Sequence, residues 1–236
     1  MIDLAHSARA YVRARQRMTR PEMLARARHD LQHWLQHKVG RVPFYAGRQF
    51  DQLSDLPIVD KATLMDDFAA FNTAGITVDQ GWHAFASTRQ IGRYVVGAST
   101  GTSGNRGLFV ISQAERFRWL GTMLAKALPG FWRQRHRVAV LLPLNTPLYD
   151  SGNRLSRLNV SFFDLSGDWE ADLCAYLQTV IIAPPKVLRL IAEHKFPLHP
   201  THIYAGAEKL DPLDANIIAA FFGLTVGQIY MATEGL

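Results

Sequence analysis

Short apolar segments of strand length alternate with helix-length amphipathic segments from about Trp82 onward. Chains with this pattern fold into βαβ units, because a parallel strand pair needs a long crossover between its strands, usually a helix. Residues 137–144 (RVAVLLPL) are apolar almost throughout, as in a parallel strand that is buried on both faces. The pattern predicts an α/β fold with a mostly parallel sheet flanked by helices.

Turn and capping signals separate the predicted elements of this core. The predicted strands occupy residues 93–99, 107–112, 137–144, 179–184, 201–206 and 224–231, and the predicted helices occupy residues 113–128, 171–178, 185–194 and 211–222. Ser112 and Glu115 have the spacing of a capping box. Asp211 precedes a proline and Gly223 follows the last helical residue, which is typical of a helix start and a helix end.

The first eighty residues are predicted to be largely helical. Helices are expected over residues 8–19, 21–37 and 62–71, and Asp60 is the expected N-cap of the third. We therefore expect an N-terminal helical segment, residues 1–80, packed on an α/β core, residues 81–236.

The positive charge of the chain is concentrated at its N-terminus. Ten of the 26 Lys and Arg residues, but only three of the 20 Asp and Glu residues, lie in residues 1–50. Such a basic segment can attract nucleic acid or anionic lipid. Apolar residues interleave the arginines at helical spacing, however, which favours the solvated faces of amphipathic helices. We expect no nucleic-acid partner, and a nucleic-acid-binding module is kept only as a third interpretation.

Composition excludes several classes of protein. Hydrophobic residues make up 48% of the chain and charged residues 19%, which argues against a disordered or fibrous protein. No apolar run approaches the roughly 18 residues that a membrane span needs, and the N-terminus has no signal-peptide core. Cys174 is the single cysteine, so an intramolecular disulfide framework is excluded and a cytoplasmic location is expected.

A loop rich in glycine and hydroxyl residues separates two of the predicted strands. The sequence of residues 98–107 is ASTGTSGNRG. Its glycines allow successive amides to turn inward around an anion, and its hydroxyls add neutral donors. It is not a Walker A motif, because no Gly-Lys-Ser/Thr ends it and a strand follows it. The loop is either a phosphate-binding segment or a flexible hairpin turn.

Two further motifs lie at the ends of predicted strands. They are the segments 204–208 (YAGAE) and 230–234 (YMATE). Ligands of open α/β sheets bind outside the carboxyl ends of the strands. We therefore expect the glycine-rich loop, Glu208 and the segment 230–234 to lie around one cleft, although either strand-end motif alone is also typical of a turn with a solvated carboxylate.

The three motifs together resemble the adenylate-forming superfamily of acyl-CoA synthetases, peptide-synthetase adenylation domains and luciferases. STGTSGNRG is similar to its phosphate-binding signature, GAE to its adenine-side motif, and YMATE to its Tyr-Gly-x-Thr-Glu motif. The segments HKVGRVPFY and LSDLPIVDKATLMDDF resemble the phenylacetate-CoA ligase branch, which includes capsule-biosynthesis and coenzyme F390 synthetase-like proteins.

The resemblance implies a two-step ligase that uses ATP and Mg²⁺. A carboxylic acid attacks the α-phosphorus of ATP, which gives an acyl-adenylate and pyrophosphate, and a thiol such as coenzyme A then takes the acyl group. The implied roles are phosphate binding by Ser99, Thr100, Gly101, Thr102, Ser103 and Gly104, an adenine pocket of Gly206, Ala207 and Glu208, stacking by Tyr230, α-phosphate contact by Thr233, and Mg²⁺ binding by Glu234. Thr233 and Glu234 are the implied catalytic residues.

The sequence departs from the family pattern in places. Asn105 and Arg106 stand where the family has Pro-Lys, and Met231 replaces a glycine. The family's ribose-binding aspartate, its hinge and the C-terminal domain with its catalytic lysine would all follow Leu236. We therefore expect a truncated adenylation N-terminal domain that does not turn over by itself. A sheet edge left uncovered by the missing part would favour self-association.

Two main interpretations remain open at this point. One is an AMP-forming ligase represented by its N-terminal domain, and the other is a non-catalytic nucleotide-binding or scaffold protein with the same fold. His29, His33 and His37 share one helical face, which can suggest a metal site. An exposed polar stripe is the favoured interpretation of these histidines because no acidic or cysteine partner is nearby.

Overall fold

The structure is a computed structural model that describes residues 2–99, 106–128, 130–142, 153 and 155–230. Its α-helices are α1 (Ile2–Arg15), α2 (Arg20–His37), α3 (Lys61–Asp66), α4 (Val78–Ala86), α5 (Gln113–Ala127), α6 (Trp169–Tyr176), α7 (Pro185–Glu193) and α8 (Pro212–Phe222). Its strands are β1 (Gln90–Ile91), β2 (Tyr94–Ala98), β3 (Leu108–Ser112), β4 (His136–Val140), β5 (Leu158–Phe162), β6 (Val180–Ala183), β7 (His202–Ala205) and β8 (Val226–Gln228).

The chain divides into two compact units. The described residues of the ranges 1–15 and 114–230 form the parallel-sheet unit, and those of the range 16–113 form the antiparallel unit. The functional division at residues 80 and 81 stays a prediction.

The parallel-sheet unit confirms the predicted fold class. Its five strands lie in the order β5-β4-β6-β7-β8, and every neighbouring pair is parallel. All four residues of β6, the central strand, are buried, as an apolar strand covered on both faces should be. Helices α6, α7 and α8 occupy the crossovers after β5, β6 and β7. These strands are therefore connected as βαβ units, as the alternation of strands and helices in the sequence predicts.

One face of this sheet forms the main core of the unit. Ile181, Ile203 and Ala183 lie in the same cluster as Leu188 and Ile191 of α7, and all five side chains have at most 1% of their surface exposed. Removal of water from such side chains contributes about 25 cal/mol per Å² of apolar surface. This burial fixes where each strand ends, and therefore where the loops that follow the strands lie.

The antiparallel unit contains the hairpin formed by β2 and β3. These strands pair antiparallel, from Tyr94 opposite Ser112 to Ala98 opposite Leu108, and β1 adds a third strand. A loop of nine residues is too short for a parallel crossover, so the two predicted strands pair antiparallel in a sheet of their own. Leu108 packs in the core of this unit with Phe68, Ile76 and Val96.

Side-chain caps set several helix ends. The Thr19 hydroxyl accepts from the Glu22 amide, and the Glu22 carboxylate accepts from the Thr19 amide at 2.7 Å, which starts α2 at Arg20. The first helix therefore ends at Arg15, and its predicted extension to residue 19 is wrong. Asp60 caps α3 as predicted and accepts from the Thr63 amide at 2.8 Å, but that helix ends at Asp66 instead of continuing to residue 71.

Helix α1 packs against α5 within the parallel-sheet unit. The buried Ser7 hydroxyl donates to the Phe117 carbonyl at 2.6 Å. Gly121 lies against the Ser7 backbone so closely that a Cβ there would fall on the Ser7 carbonyl group. Tyr11 also packs edge-on against Trp132, with the ring centroids 4.9 Å apart. Among the described residues, no helix combines the length and the hydropathy that a membrane span requires.

A buried histidine at the amino end of β4 makes stability depend on pH. His136 is 5% exposed, and its Nδ1 lies 3.4 Å from the Thr179 hydroxyl. Burial, with a smaller contribution from His202, lowers the pKa of His136 below its usual value of about 6.5. The imidazole of His136 therefore takes up a proton more readily in the unfolded chain than in the folded one. Its contribution to the free energy of unfolding is complete above about pH 6.5 and is lost as the pH falls toward the pKa in the folded state.

We expect the free energy of unfolding to fall between pH 7.5 and pH 5.5, by at most about 1.4 kcal/mol per pH unit from this group. Urea unfolding measured at several pH values tests the expectation. The variant His136→Gln should show a flatter pH dependence. The control His29→Gln replaces an exposed histidine and should leave the slope unchanged; equal slopes in all three proteins would contradict the assignment.

Candidate functional site

The carboxyl edge of the parallel sheet brings together the described members of the two strand-end motifs. Strands β6, β7 and β8 are neighbours and run in one direction, so the loops after them emerge at the same edge. Gly206, Ala207 and Glu208 follow β7, and Tyr230 comes two residues after β8. The topology thus brings together these four predicted site residues.

The turn after β7 is held in an unusual backbone conformation. The Gly206 amide donates to the Ala183 carbonyl at 3.0 Å and extends the ladder beyond the strand. Ala207 then adopts a φ of +65°, a left-handed conformation that residues with a side chain rarely adopt. Strain of this kind persists only where the surroundings impose it, and it is frequent at ligand sites. The Ala207 side chain is exposed, and Gly206 is buried.

Glu208 is paired with a lysine from the neighbouring strand end. Lys186 lies in the first turn of α7, directly after the two prolines that follow β6, and its Nζ lies 3.0 Å from Glu208 Oε1. The Glu208 side chain is 29% exposed and that of Lys186 is 67% exposed. The Glu208 carboxylate is therefore partly withdrawn from solvent, and the lysine is the more exposed partner of the pair.

Tyr230 presents a free aromatic surface at the same edge. The Ile229 amide donates to the Ala205 carbonyl at 2.8 Å, which continues the pairing between the ends of β7 and β8. Tyr230 follows with 90% of its surface exposed. An aromatic ring that is held at a strand end and not packed into the core is suited to stacking on a planar ligand.

An apolar cavity of about 60 Å³ lies between α5 and the sheet, within the parallel-sheet unit. A water molecule needs roughly 10–15 Å³ measured in this way, so there is room for a larger group. The cavity is lined by Trp119, Leu120, Met123, Leu124, Ala127, Leu128, Val138, Leu158, Val160, Val180, Ile182, Tyr204 and Ile229.

The wall of this cavity is continuous with the strand-end turn. Ile182 lines the cavity, and its Cγ2 lies 3.9 Å from the position that a Cβ on Gly206 would take. Ile229 also lines it and directly precedes Tyr230. The Tyr204 hydroxyl donates to the Ala127 carbonyl at 2.6 Å, and burial raises the pKa of Tyr204 above its usual value of 10. The cavity wall therefore presents hydrocarbon and an already satisfied hydroxyl group.

The two ends of the glycine-rich loop, Ser99 and Gly107, lie in the antiparallel unit. The Ser99 amide donates to the Gly107 carbonyl, and the Gly107 amide donates to the Ser99 hydroxyl oxygen, both at 2.8 Å. The Ser99 hydroxyl thus helps to close the hairpin and keeps its own proton for another acceptor. Thr100, Gly101, Thr102, Ser103 and Gly104 lie outside the described residues, as do Thr233 and Glu234. The expected single cleft stays a prediction.

Lys186 and the cavity residue Trp119 are functional-site candidates that no sequence motif indicated. Lys186 follows a predicted strand, and strand ends are the positions at which ligands bind in such sheets, so its place in the sequence was an available signal. Trp119 gave no such signal, because an aromatic residue on a helix is usually part of the core. Only the packing of α5 on the sheet shows that it lines a cavity.

Known proteins resemble this chain in structure. No protein-family model matches the sequence, and no curated protein matches it. Structures of 2-hydroxyisobutyryl-CoA ligase do match. Its open conformation in complex with 2-HIB-AMP and CoA is 18% identical, with a TM-score of 0.59 over 93% of this chain and 56% of that chain.

A second structure of that ligase, in the thioesterification state with 2-HIB-AMP and CoA, is 19% identical, with a TM-score of 0.61 over 91% of this chain and 50% of that chain. A third, in the postadenylation state with 2-HIB-AMP, is 18% identical, with a TM-score of 0.60 over 93% of this chain and 50% of that chain. The chain thus spans about half the length of the ligase structures that it matches, and it has the fold of that part of them.

Proposed function

We propose that this chain is part of an AMP-forming ligase that activates a carboxylic acid with ATP. The observation that carries the proposal is the continuity of two subsites of different chemistry. The polar, strained turn at residues 206–208 and the exposed Tyr230 lie at the carboxyl edge of the sheet. The apolar cavity adjoins this turn, because Ile182 both lines the cavity and lies next to Gly206. An acyl-adenylate has the same two parts, a polar nucleotide joined to a carbon chain.

The nucleotide is proposed to bind at the carboxyl edge of the sheet. Gly206, Ala207 and Glu208 would line the adenine pocket, and Tyr230 would stack on the base. Thr233 would contact the α-phosphate, and Glu234 would supply a carboxylate oxygen, the type of ligand that Mg²⁺ prefers. The bound ion would neutralise phosphate charge. Phosphate binding is also proposed for the segment 99–104, from the sequence of its hydroxyl and glycine residues.

The acid is proposed to place its carbon chain in the apolar cavity. Its carboxylate would then point toward the strand edge, where it attacks the α-phosphorus and releases pyrophosphate. Placing both reactants next to each other supplies much of the rate enhancement in such a displacement. The thiol sulfur would then attack the carbonyl carbon of the acyl-adenylate, forming a thioester and releasing AMP. We propose coenzyme A as this thiol, since CoA is present in two of the similar ligase structures.

The N-terminal sequence favours the phenylacetate-CoA ligase-like branch, and we propose a cytoplasmic protein that acts on small molecules and can self-associate. We propose residues 81–236 as the nucleotide-binding part, with residues 1–80 packed on it.

Binding of acyl-adenylate analogues tests the proposal without requiring turnover. Acyl-sulfamoyl-adenosines occupy both subsites, so we expect at least one member of a panel with acetyl, 2-hydroxyisobutyryl, benzoyl, phenylacetyl and hexanoyl groups to bind at least tenfold more tightly than AMP. Isothermal titration calorimetry measures both affinities. Binding of AMP without any gain from an acyl group would instead indicate a non-catalytic nucleotide-binding protein. Absence of binding to AMP, ATP and every analogue would overturn the proposal.

A further inference from the structure

Lys186 occupies an unusual position for a lysine. It lies in the first turn of α7, where the helix dipole disfavours a positive charge. The ion pair with Glu208 compensates for this placement. The same helix carries a second cation, Arg189, which pairs with Asp214 at 2.9 Å and with Glu193 at 2.7 Å. Only the first of these two cations reaches a candidate site residue.

We propose that Lys186 is a positioning residue that holds Glu208 as a hydrogen-bond acceptor for the amino group of adenine. The pair would thereby set a preference for adenine over purines that carry an oxygen at the same ring position. The inference rests on the proposed function, which assigns the turn at residues 206–208 to the adenine pocket, and it adds the residue and the chemistry that select the base.

The chemistry of the carboxylate supports this selection. An ionised glutamate only accepts hydrogen bonds, and it has about four lone-pair sites, of which the lysine contact uses one. The amino group of adenine is a donor and fits the remaining capacity. Hypoxanthine and guanine present a carbonyl oxygen at that position, and two acceptors facing each other repel.

The geometry explains why a second residue is needed to orient Glu208. The carboxylate follows Ala207, whose left-handed backbone persists only where neighbouring contacts impose it. The Gly206 amide, two residues before Glu208, is fixed by its hydrogen bond to the Ala183 carbonyl. The Glu208 carboxylate itself is held by the Lys186 ammonium. A glutamate already fixed in this way loses less conformational entropy when a ligand binds.

The exposure of the pair indicates where its effect will appear. Ion pairs at the surface add little to stability, because water screens the charges. The Lys186 side chain is 67% exposed, so its removal should hardly change unfolding. Glu208 is the more buried partner, and a hydrogen bond to a ligand that covers it is better shielded from water. The effect is therefore expected in ligand selection.

Equilibrium dialysis of the full chain with radiolabelled ATP and inosine triphosphate tests the inference. The wild type should prefer ATP by about tenfold. Lys186→Met should weaken ATP binding severalfold more than binding of inosine triphosphate, so the preference falls toward one. Both ligands carry the same phosphates, so their ratio removes any effect of the lost charge on phosphate binding. Lys186→Arg should restore most of the preference.

Two further variants complete the test. Arg189→Met removes the other ion-paired cation of α7 and should leave the preference unchanged, which controls for a general effect on the helix. Glu208→Gln carries both a donor and an acceptor, so it should bind the two nucleotides more equally. Circular dichroism and thermal unfolding would show that each variant is folded.

Each outcome decides one question. Failure of the wild type to bind ATP overturns the proposed function and this inference with it. ATP binding without a preference over inosine triphosphate overturns this inference alone. A preference that is unchanged in Lys186→Met also overturns this inference, and it leaves the proposed function standing.

Discussion

Replacing Gly121 with alanine should destabilise the parallel-sheet unit by about 2 kcal/mol and release α1 from α5. The added Cβ would lie 2.8 Å from the Ser7 carbonyl carbon and 2.9 Å from its Cα, and still closer to the carbonyl oxygen. These are backbone atoms, so no side-chain rotation can relieve the contact, and one helix must move away from the other. Urea unfolding, followed by circular dichroism, measures the change.

The sign of this effect makes the test specific. In a helix interior, exchanging glycine for alanine normally stabilises by about 1 kcal/mol. A loss of stability therefore shows that close packing outweighs helix propensity. Gly40→Ala makes the same exchange at an open position and serves as a control, because a Cβ there meets no heavy atom within 4 Å. Release of α1 would also separate Tyr11 from Trp132 and so change the tryptophan fluorescence.

A gain in stability for Gly121→Ala, with the fluorescence unchanged, would contradict the packing of α1 on α5. Ser7→Ala supplies an independent comparison, because it removes the hydrogen bond to the Phe117 carbonyl at 2.6 Å without adding volume. We expect a smaller loss from it, about 1 kcal/mol, the usual net contribution of a single hydrogen bond.

The parts of the fold that sequence predicts well are those in which local signals and burial agree. Strand β6 is apolar at all four positions and lies at the sheet centre, and α8 has both of its expected caps, Asp211 and a left-handed Gly223. Strand β5 escaped prediction. Asn159 and Ser161 interrupt its apolar residues, because it forms an edge of the sheet with more exposed positions.

The candidate site was predictable only where it consists of consecutive residues. Gly206, Ala207 and Glu208 stand together in the sequence, and the rule that ligands bind at strand ends located them. Lys186 and Glu208 are joined by tertiary contact alone, and sequence spacing carries no information about that contact. The left-handed backbone of Ala207 was also unforeseeable, since alanine does not signal such a conformation as glycine does.

Filling the apolar cavity should abolish the contribution of the acyl group to binding. Ala127 is a small residue among the lining side chains, and Ala127→Phe would occupy the space left beside it. Burial contributes about 0.8 kcal/mol per CH₂ group, so a four-carbon chain gains about 3 kcal/mol in the cavity. We therefore expect Ala127→Phe to weaken the acyl-sulfamoyl-adenosine that binds the wild type most tightly by about a hundredfold.

The affinity for AMP separates this effect from a general loss of structure. AMP carries no acyl group, so its affinity should stay within about twofold of the wild type in Ala127→Phe. Thr122→Phe adds the same side chain at an exposed position of α5 and should change neither affinity. If Ala127→Phe binds the acyl analogue as tightly as the wild type, the acid does not bind in this cavity.

Enlarging the same cavity should act in the opposite direction. Trp119→Ala removes the largest lining side chain, and the space it leaves should favour longer acyl groups over shorter ones. An extra buried CH₂ group then adds affinity that the wild-type cavity cannot provide, roughly fourfold per group at 0.8 kcal/mol. Calorimetric titration with acetyl, butyryl and hexanoyl analogues measures the gain, and a chain-length profile identical to that of the wild type would exclude Trp119 from the acyl wall. Ala127→Phe should lower the affinity for acyl analogues and Trp119→Ala should raise it for long ones, while the affinity for AMP stays unchanged in both. Such opposite changes would locate the acid between α5 and the sheet, because a loss of folding weakens the binding of every ligand.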